Sequence, residues 1–174
     1  MKYLSFKILG SKLSQRPQAW AQISGGIEYP NLTGKVYFYQ TKCGVLVAVE
    51  VVGLPKLAEK SADGVFGFHI HSGSACSGTQ SDPFADVLTH YNPDGSPHPY
   101  HAGDLPPLFA NHGYAFQVFL TDRFSVSEIL GKTIVIHSDP DDFTSQPGGN
   151  AGEKIACGQI KELGRCQLEF LRKC

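Results

Sequence analysis

At 174 residues the chain has the length of one domain and can bury a core without disulfide staples. It is 41% hydrophobic, with 11 Phe, 7 Tyr and a net charge of −1. No run of Lys and Arg forms a basic stripe and no apolar run reaches membrane-spanning length, so neither a nucleic-acid partner nor a membrane is expected.

The first ten residues are basic and partly apolar, but Lys7 and Lys12 interrupt them before an apolar signal core builds. No signal peptide is expected, which points to the cytoplasm unless a leader has been trimmed away. Residues 1–16 read as an N-terminal extension, 17–161 as the domain and 162–174 as a C-terminal tail. Residues 19–23 alternate and stop at Gly25-Gly26. Residues 34–39 alternate with Val36 and Phe38 on one face, and 45–52 are β-branched and end at the turn Gly53-Leu54-Pro55. Residues 65–71, 115–121, 133–137 and 155–160 complete a set of short strands, with no amphipathic helix of three turns. The expected fold is an all-β sandwich or barrel with antiparallel, Greek-key-like connections. Two connections, 72–114 and 138–153, are long and aperiodic, as functional loops are. Five cysteines leave at least one without a partner in the chain, and one structural bridge is allowed.

The histidines carry the chemistry. Six of the seven, His69, His71, His90, His98, His101 and His137, fall in the order of a metal site, with Asp104 among them. Imidazole is the commonest metal-binding side chain. In the strand 65–71, Phe66, Phe68 and Ile70 share one face, while Gly67, His69 and His71 share the other. The two histidines then form a chelating pair outside the barrel wall, where His137 joins them from its strand end. His69, His71 and His137 leave an open position and suit copper, whose divalent form takes nitrogen ligands in tetragonal geometry. His98, His101 and Asp104, with His90, suit a closed tetrahedral zinc site of structural type. His90 opens the loop and can serve both metals through its two ring nitrogens.

The segments Gly67-Phe68-His69-Ile70-His71, His90-Tyr91-Asn92-Pro93, His101-Ala102-Gly103-Asp104-Leu105, Val135-Ile136-His137, Asp141-Asp142 and the run from Gly149 to Gly158 resemble copper,zinc superoxide dismutase, over residues 19–160. The resemblance implies an eight-stranded Greek-key barrel that converts superoxide to oxygen and hydrogen peroxide, with copper and zinc as cofactors. By motif, His69, His71 and His137 resemble the copper-only ligands, His90 the histidine shared by the metals, and His98, His101 and Asp104 the remaining zinc ligands. Asp141 resembles the carboxylate that orients one ligand of each metal, and Cys76 and Cys157 resemble the family's intrasubunit disulfide. The sequence departs in three places. The His98–His101 gap and the loop from His137 to Gly152 are short. Lys154 stands where the family has an arginine at the mouth of the copper pocket, keeping the charge but losing the planar fork.

Other signals are weaker. His112 reads as a turn histidine. Trp20 points outward and marks either an interface, as in a homodimer, or a covered surface aromatic. Asn31-Leu32-Thr33 matches a glycosylation sequon. Cys43, Cys166 and Cys174 have no assigned role and read as free thiols in preference to a Cys166–Cys174 bridge, and residues 167–171 would add an edge strand or fray. The leading function is superoxide dismutation. The alternatives are a copper- or zinc-binding protein on the same fold and a zinc hydrolase, which the closed zinc set disfavours.

Overall fold

The structure is a computed structural model that describes residues 16–55 and 64–164. Among the described residues, ten strands run in the order β1 (Ala19–Gly25), β2 (Thr33–Thr41), β3 (Gly44–Val52), β4 (Val65–Phe66), β5 (Phe68–His71), β6 (Leu108–Phe109), β7 (Tyr114–Thr121), β8 (Thr133–His137), β9 (Lys154–Gln159) and β10 (Lys161–Glu162). A one-turn helix, α1 (Val126–Ile129), precedes β8 and is closed at its start by a capping box between Ser125 and Glu128. Among the described residues, no helix is long and apolar enough to cross a membrane.

The strands form one curled, antiparallel eight-stranded sheet in the order β5-β8-β9-β1-β2-β3-β7, with β10 also on β1, and β4 and β6 make a separate pair. This is the Greek-key barrel or sandwich expected from the sequence. Sequence neighbours β1, β2 and β3 pair as a meander, with Val36 opposite both Ala21 and Val49. β9 crosses back to lie between β8 and β1, so chain order and sheet order part there. The expected strand 65–71 is two strands, because Gly67 leaves the ladder: its N–H donates to Asp139 O (2.8 Å) and its carbonyl accepts from His137 N–H (2.8 Å). The register shift between Ile136 and His137 sits opposite this break.

The inward faces hold Phe38, Phe66, Phe68, Ile70, Ile134 and Ile136, all fully buried. Each large apolar side chain removed from water contributes about 1.5–3 kcal/mol, so β5 and β8 are anchored through their inner faces. On the outer wall, Trp20 packs with Tyr37, Tyr39, Ala48 and Leu46, which fits the covered-aromatic reading. His112 takes a left-handed turn conformation with φ of 54°. Cys43 is free and exposed, while Cys166, Cys174 and the residue range 167–171 lie outside the described residues.

Cys76, in the connection after β5, is bonded to Cys157 of β9, with S–S of 2.00 Å and a sequence separation of 81. The bridge ties the long connection to the wall that carries it. Replacing Cys76 by Ser should lower unfolding stability by about 2–4 kcal/mol, since so long a loop regains its freedom in the unfolded chain. Urea titration of metal-free wild type and variant reads this directly, and coincident midpoints would refute it.

Candidate metal centre

β5 places the first two histidines. It is hydrogen-bonded to β8 on one side, with His69 opposite Val135 and His71 opposite Thr133. On its other side runs the metal-binding connection. Ile70 N–H donates to Gly103 O (2.9 Å), Tyr91 N–H donates to Ile70 O (2.8 Å), and Gly103 N–H donates to Tyr91 O (2.8 Å). Bridges pair His69 with Asp104 and His71 with His90. The irregular connection is therefore locked to the strand as an extra edge. Residue 103 must be glycine, because a Cβ there would stand 2.2 Å from Ile70 O.

All six histidines of the motif are buried, as are Asp104 and Asp141. Their ligand atoms fall into two groups, His69–His71–His90–His137 and His90–His98–His101–Asp104, each with all atoms within 4.8 Å of one another. His90 belongs to both. The structure thus brings the residues singled out in the sequence together in two groups.

The hydrogen bonds decide which nitrogens are free. His71 Nδ1 donates to Leu88 O (2.9 Å) and His137 Nδ1 donates to Gly152 O (3.3 Å), since a carbonyl only accepts. Both Nε2 atoms then carry lone pairs, yet they face each other 3.2 Å apart. Asp141 accepts from His69 Nε2 through Oδ2 (2.8 Å) and from His98 Nε2 through Oδ1 (2.9 Å). The Nδ1 atoms of His69 and His98 are left buried without a hydrogen bond, although His98 Nδ1 lies 3.1 Å from Asp104 Oδ2. His90 Nδ1 and His101 Nδ1 approach Asp104 Oδ1 to 2.8 and 3.2 Å. Two ligands of one tetrahedral ion at ~2.0 Å stand about 3.3 Å apart, so the separations of 3.1 and 3.2 Å fit bound cations, while the 2.8 Å contact of His90 with Asp104 has hydrogen-bond length. Converging lone pairs with no proton between them need a cation.

Burial favours the neutral imidazole at His69, His71 and His137. His71 is pushed well below the usual range by burial and then by facing His137 and His90. His137 is lowered to about 3 by burial and then by His69. Burial would raise Asp141, but hydrogen bonds from His69, the Phe143 N–H and His98 outweigh it and hold the carboxyl at about 2. Asp104 is likewise raised by burial and lowered more strongly by His90, His98 and His101. A Cβ at residue 149 would stand 2.0 Å from Asp141 Oδ1, and Gly149 has φ of +70°, so glycine there makes room for the shared carboxylate.

Residues 32–160 match the family model described as copper/zinc superoxide dismutase (SODC). The chain belongs to the copper/zinc superoxide dismutase family. Superoxide dismutase [Cu-Zn] 2 of Aquifex aeolicus is 32% identical over 180 residues, covering 92% of this chain and 100% of its own. Superoxide dismutase [Cu-Zn] of Legionella pneumophila is 33% identical over 139 residues, covering 76% of this chain and 80% of its own.

Against that family frame, two contacts beside the site had no sequence signal. Arg123, which follows β7, donates from Nη1 to Pro99 O (2.9 Å), His101 O (3.1 Å) and Asp104 O (3.2 Å), clamping the connection that carries His101 and Asp104. Lys154 lies opposite His137 in the β8–β9 ladder, and its Nζ is paired with Asp82 Oδ2 at 2.6 Å. Neither contact has a fixed spacing in sequence.

The depressed histidines make the metal-free fold acid-sensitive. Unfolded histidines take protons below about pH 6.5, whereas folded His71 and His137 do not. Stability is therefore present above pH 6.5 and falls as pH drops, by about 1 kcal/mol per histidine between pH 6.5 and 5.5. Urea midpoints of metal-free protein across that window test it; a pH-independent midpoint would contradict it.

Proposed function

We propose that the chain disproportionates superoxide at a copper ion held by His69, His71, His90 and His137, with zinc held by His90, His98, His101 and Asp104. The observation that carries this is the pair of lone pairs on His71 and His137, 3.2 Å apart and each fixed by a carbonyl on the far side of its ring. That group shares His90 with a second group of three histidines and one carboxylate.

Copper, when bound, supplies one-electron chemistry: two superoxide anions and two protons give one oxygen and one hydrogen peroxide. The protein's part is to hold donors and guide the anion. Leu88 O and Gly152 O keep His71 and His137 in the tautomers that offer Nε2. Asp141 does the same for His69 and His98, one from each group, so a single carboxylate orients donors for both metals. The zinc set is closed by four protein donors, which suits a structural ion. Lys154 supplies positive charge beside His137 and guides the anion inward.

Reconstituted protein should hold one copper and one zinc per chain and disproportionate superoxide. Elemental analysis with a dismutation assay tests both. Zinc without retained copper would overturn the copper assignment, and full copper loading without turnover would leave a metal carrier. Asp141→Asn should weaken both metals together by about 10–100-fold in competition with chelators; loss of one metal alone would refute the shared role.

A further inference from the structure

Lys154 is the only lysine, and there is no arginine, in residues 72–107 and 138–154, the two connections around the metal groups and the strand start they meet. The same residues contain eight Asp and Glu: Asp82, Asp86, Asp94, Asp104, Asp139, Asp141, Asp142 and Glu153. From these two connections and the start of β9, an anion approaching the copper-side group therefore meets one cation, and that cation is engaged. Lys154 Nζ lies 2.6 Å from Asp82 Oδ2, the two side chains being 20% and 43% exposed.

Asp82 is fixed. Its Oδ1 accepts from Phe84 N–H (3.2 Å), its N–H donates to Thr79 Oγ1 (3.1 Å), and its carbonyl accepts from Thr79 N–H (2.9 Å). Phe84 packs against Val135 and Cys157, and Cys157 is bonded to Cys76. The carboxylate is thus held by the disulfide loop, while Lys154 sits on β9 three residues before Cys157. A partly exposed ion pair contributes little to stability, but it can change what an incoming anion feels.

We propose that Asp82 is a positioning residue for the reaction: it holds the Lys154 ammonium against the disulfide loop and damps its pull on superoxide. This rests on the reading of Lys154 as the guide. Recognition of the anion is then set by the disulfide loop as well as by β9.

Asp82→Asn keeps the acceptor for Phe84 N–H and removes the charge. With equal copper and zinc content, the variant should show kcat/KM raised about twofold at low ionic strength, the effect of one unit charge across roughly 10 Å of water-like medium. The gain should vanish near about 1 M salt, where charges are screened within about 3 Å. A second readout is independent of activity. In competitive acylation followed by peptide mass spectrometry, with exposed Lys161 as reference, Lys154 should react about two- to fivefold faster in the variant. Equal acylation of Lys154 in both proteins overturns the ion pair. A low-salt rate that falls in Asp82→Asn overturns the damping. An equal gain on a Lys154→Gln background assigns the effect to the charge of Asp82 alone and overturns the positioning role. If Lys154→Gln by itself leaves the low-salt rate unchanged, the guide reading fails; acylation still reports the pair, so the two failures are told apart.

Discussion

A neutral buried imidazole has one N–H and one lone pair, and the site depends on where the protein sends each N–H. For His69, His71, His98 and His137 it goes outward, to Asp141, Leu88 O, Asp141 and Gly152 O respectively. The lone pairs then point inward at one another. Without a positive charge between them, such donors repel, and each buried unpaired nitrogen forgoes the hydrogen bond it would make in water. Two of them, His69 Nδ1 and His98 Nδ1, make no hydrogen bond at all. The site is organised to be completed by cations, and burial reinforces this by favouring the neutral rings of His69, His71 and His137.

Precision in that arrangement comes from the core. β5 puts Phe68 and Ile70 into the hydrophobic interior and His69 and His71 on the opposite face, all four buried. Packing that fixes the apolar pair fixes the histidine pair. The same strand carries β8 on one edge and residues 91 and 103 on the other. An irregular connection thereby gains the positional accuracy of a sheet. Arg123 adds a clamp from a different element, satisfying three carbonyls of that connection with one nitrogen.

Much of this was legible in the sequence because it depends on period and on residue type. Alternation in 65–71 separated core from donor face, and the histidine order sorted the donors into two sets. The sharing of His90 was read from its place at the opening of the loop, whereas the disulfide followed from family resemblance rather than from spacing. The break at Gly67 was not legible, since it depends on the backbone of residues 137 and 139, some seventy positions away. Lys154 was read as standing in for the family arginine; its contact with Asp82 spans 72 residues and leaves no periodic trace. Arg123 was silent for the same reason, because hydrogen bonds to carbonyls impose no pattern on the residues that offer them.

The acidic loops set the remaining tension. With no arginine and only Lys154 available, the connection after β8 closes on itself through carboxylates. Asp142 accepts from the N–H and hydroxyl groups of both Thr144 and Ser145, and its own N–H donates to Gly149 O. Those bonds hold Asp142 below the usual carboxylate range, with the Ser145 hydroxyl the largest cause. It therefore stays charged across the working pH range. Asp141 is charged too, but its charge is directed at two histidines. A compact loop built this way keeps Gly149 tight against Asp141 and so keeps the donors in place. The cost is negative potential along the approach of an anion. Geometry of the donors and attraction of the substrate are thus set by the same carboxylates in opposite senses, and Lys154, engaged by Asp82, is where the balance between them is struck.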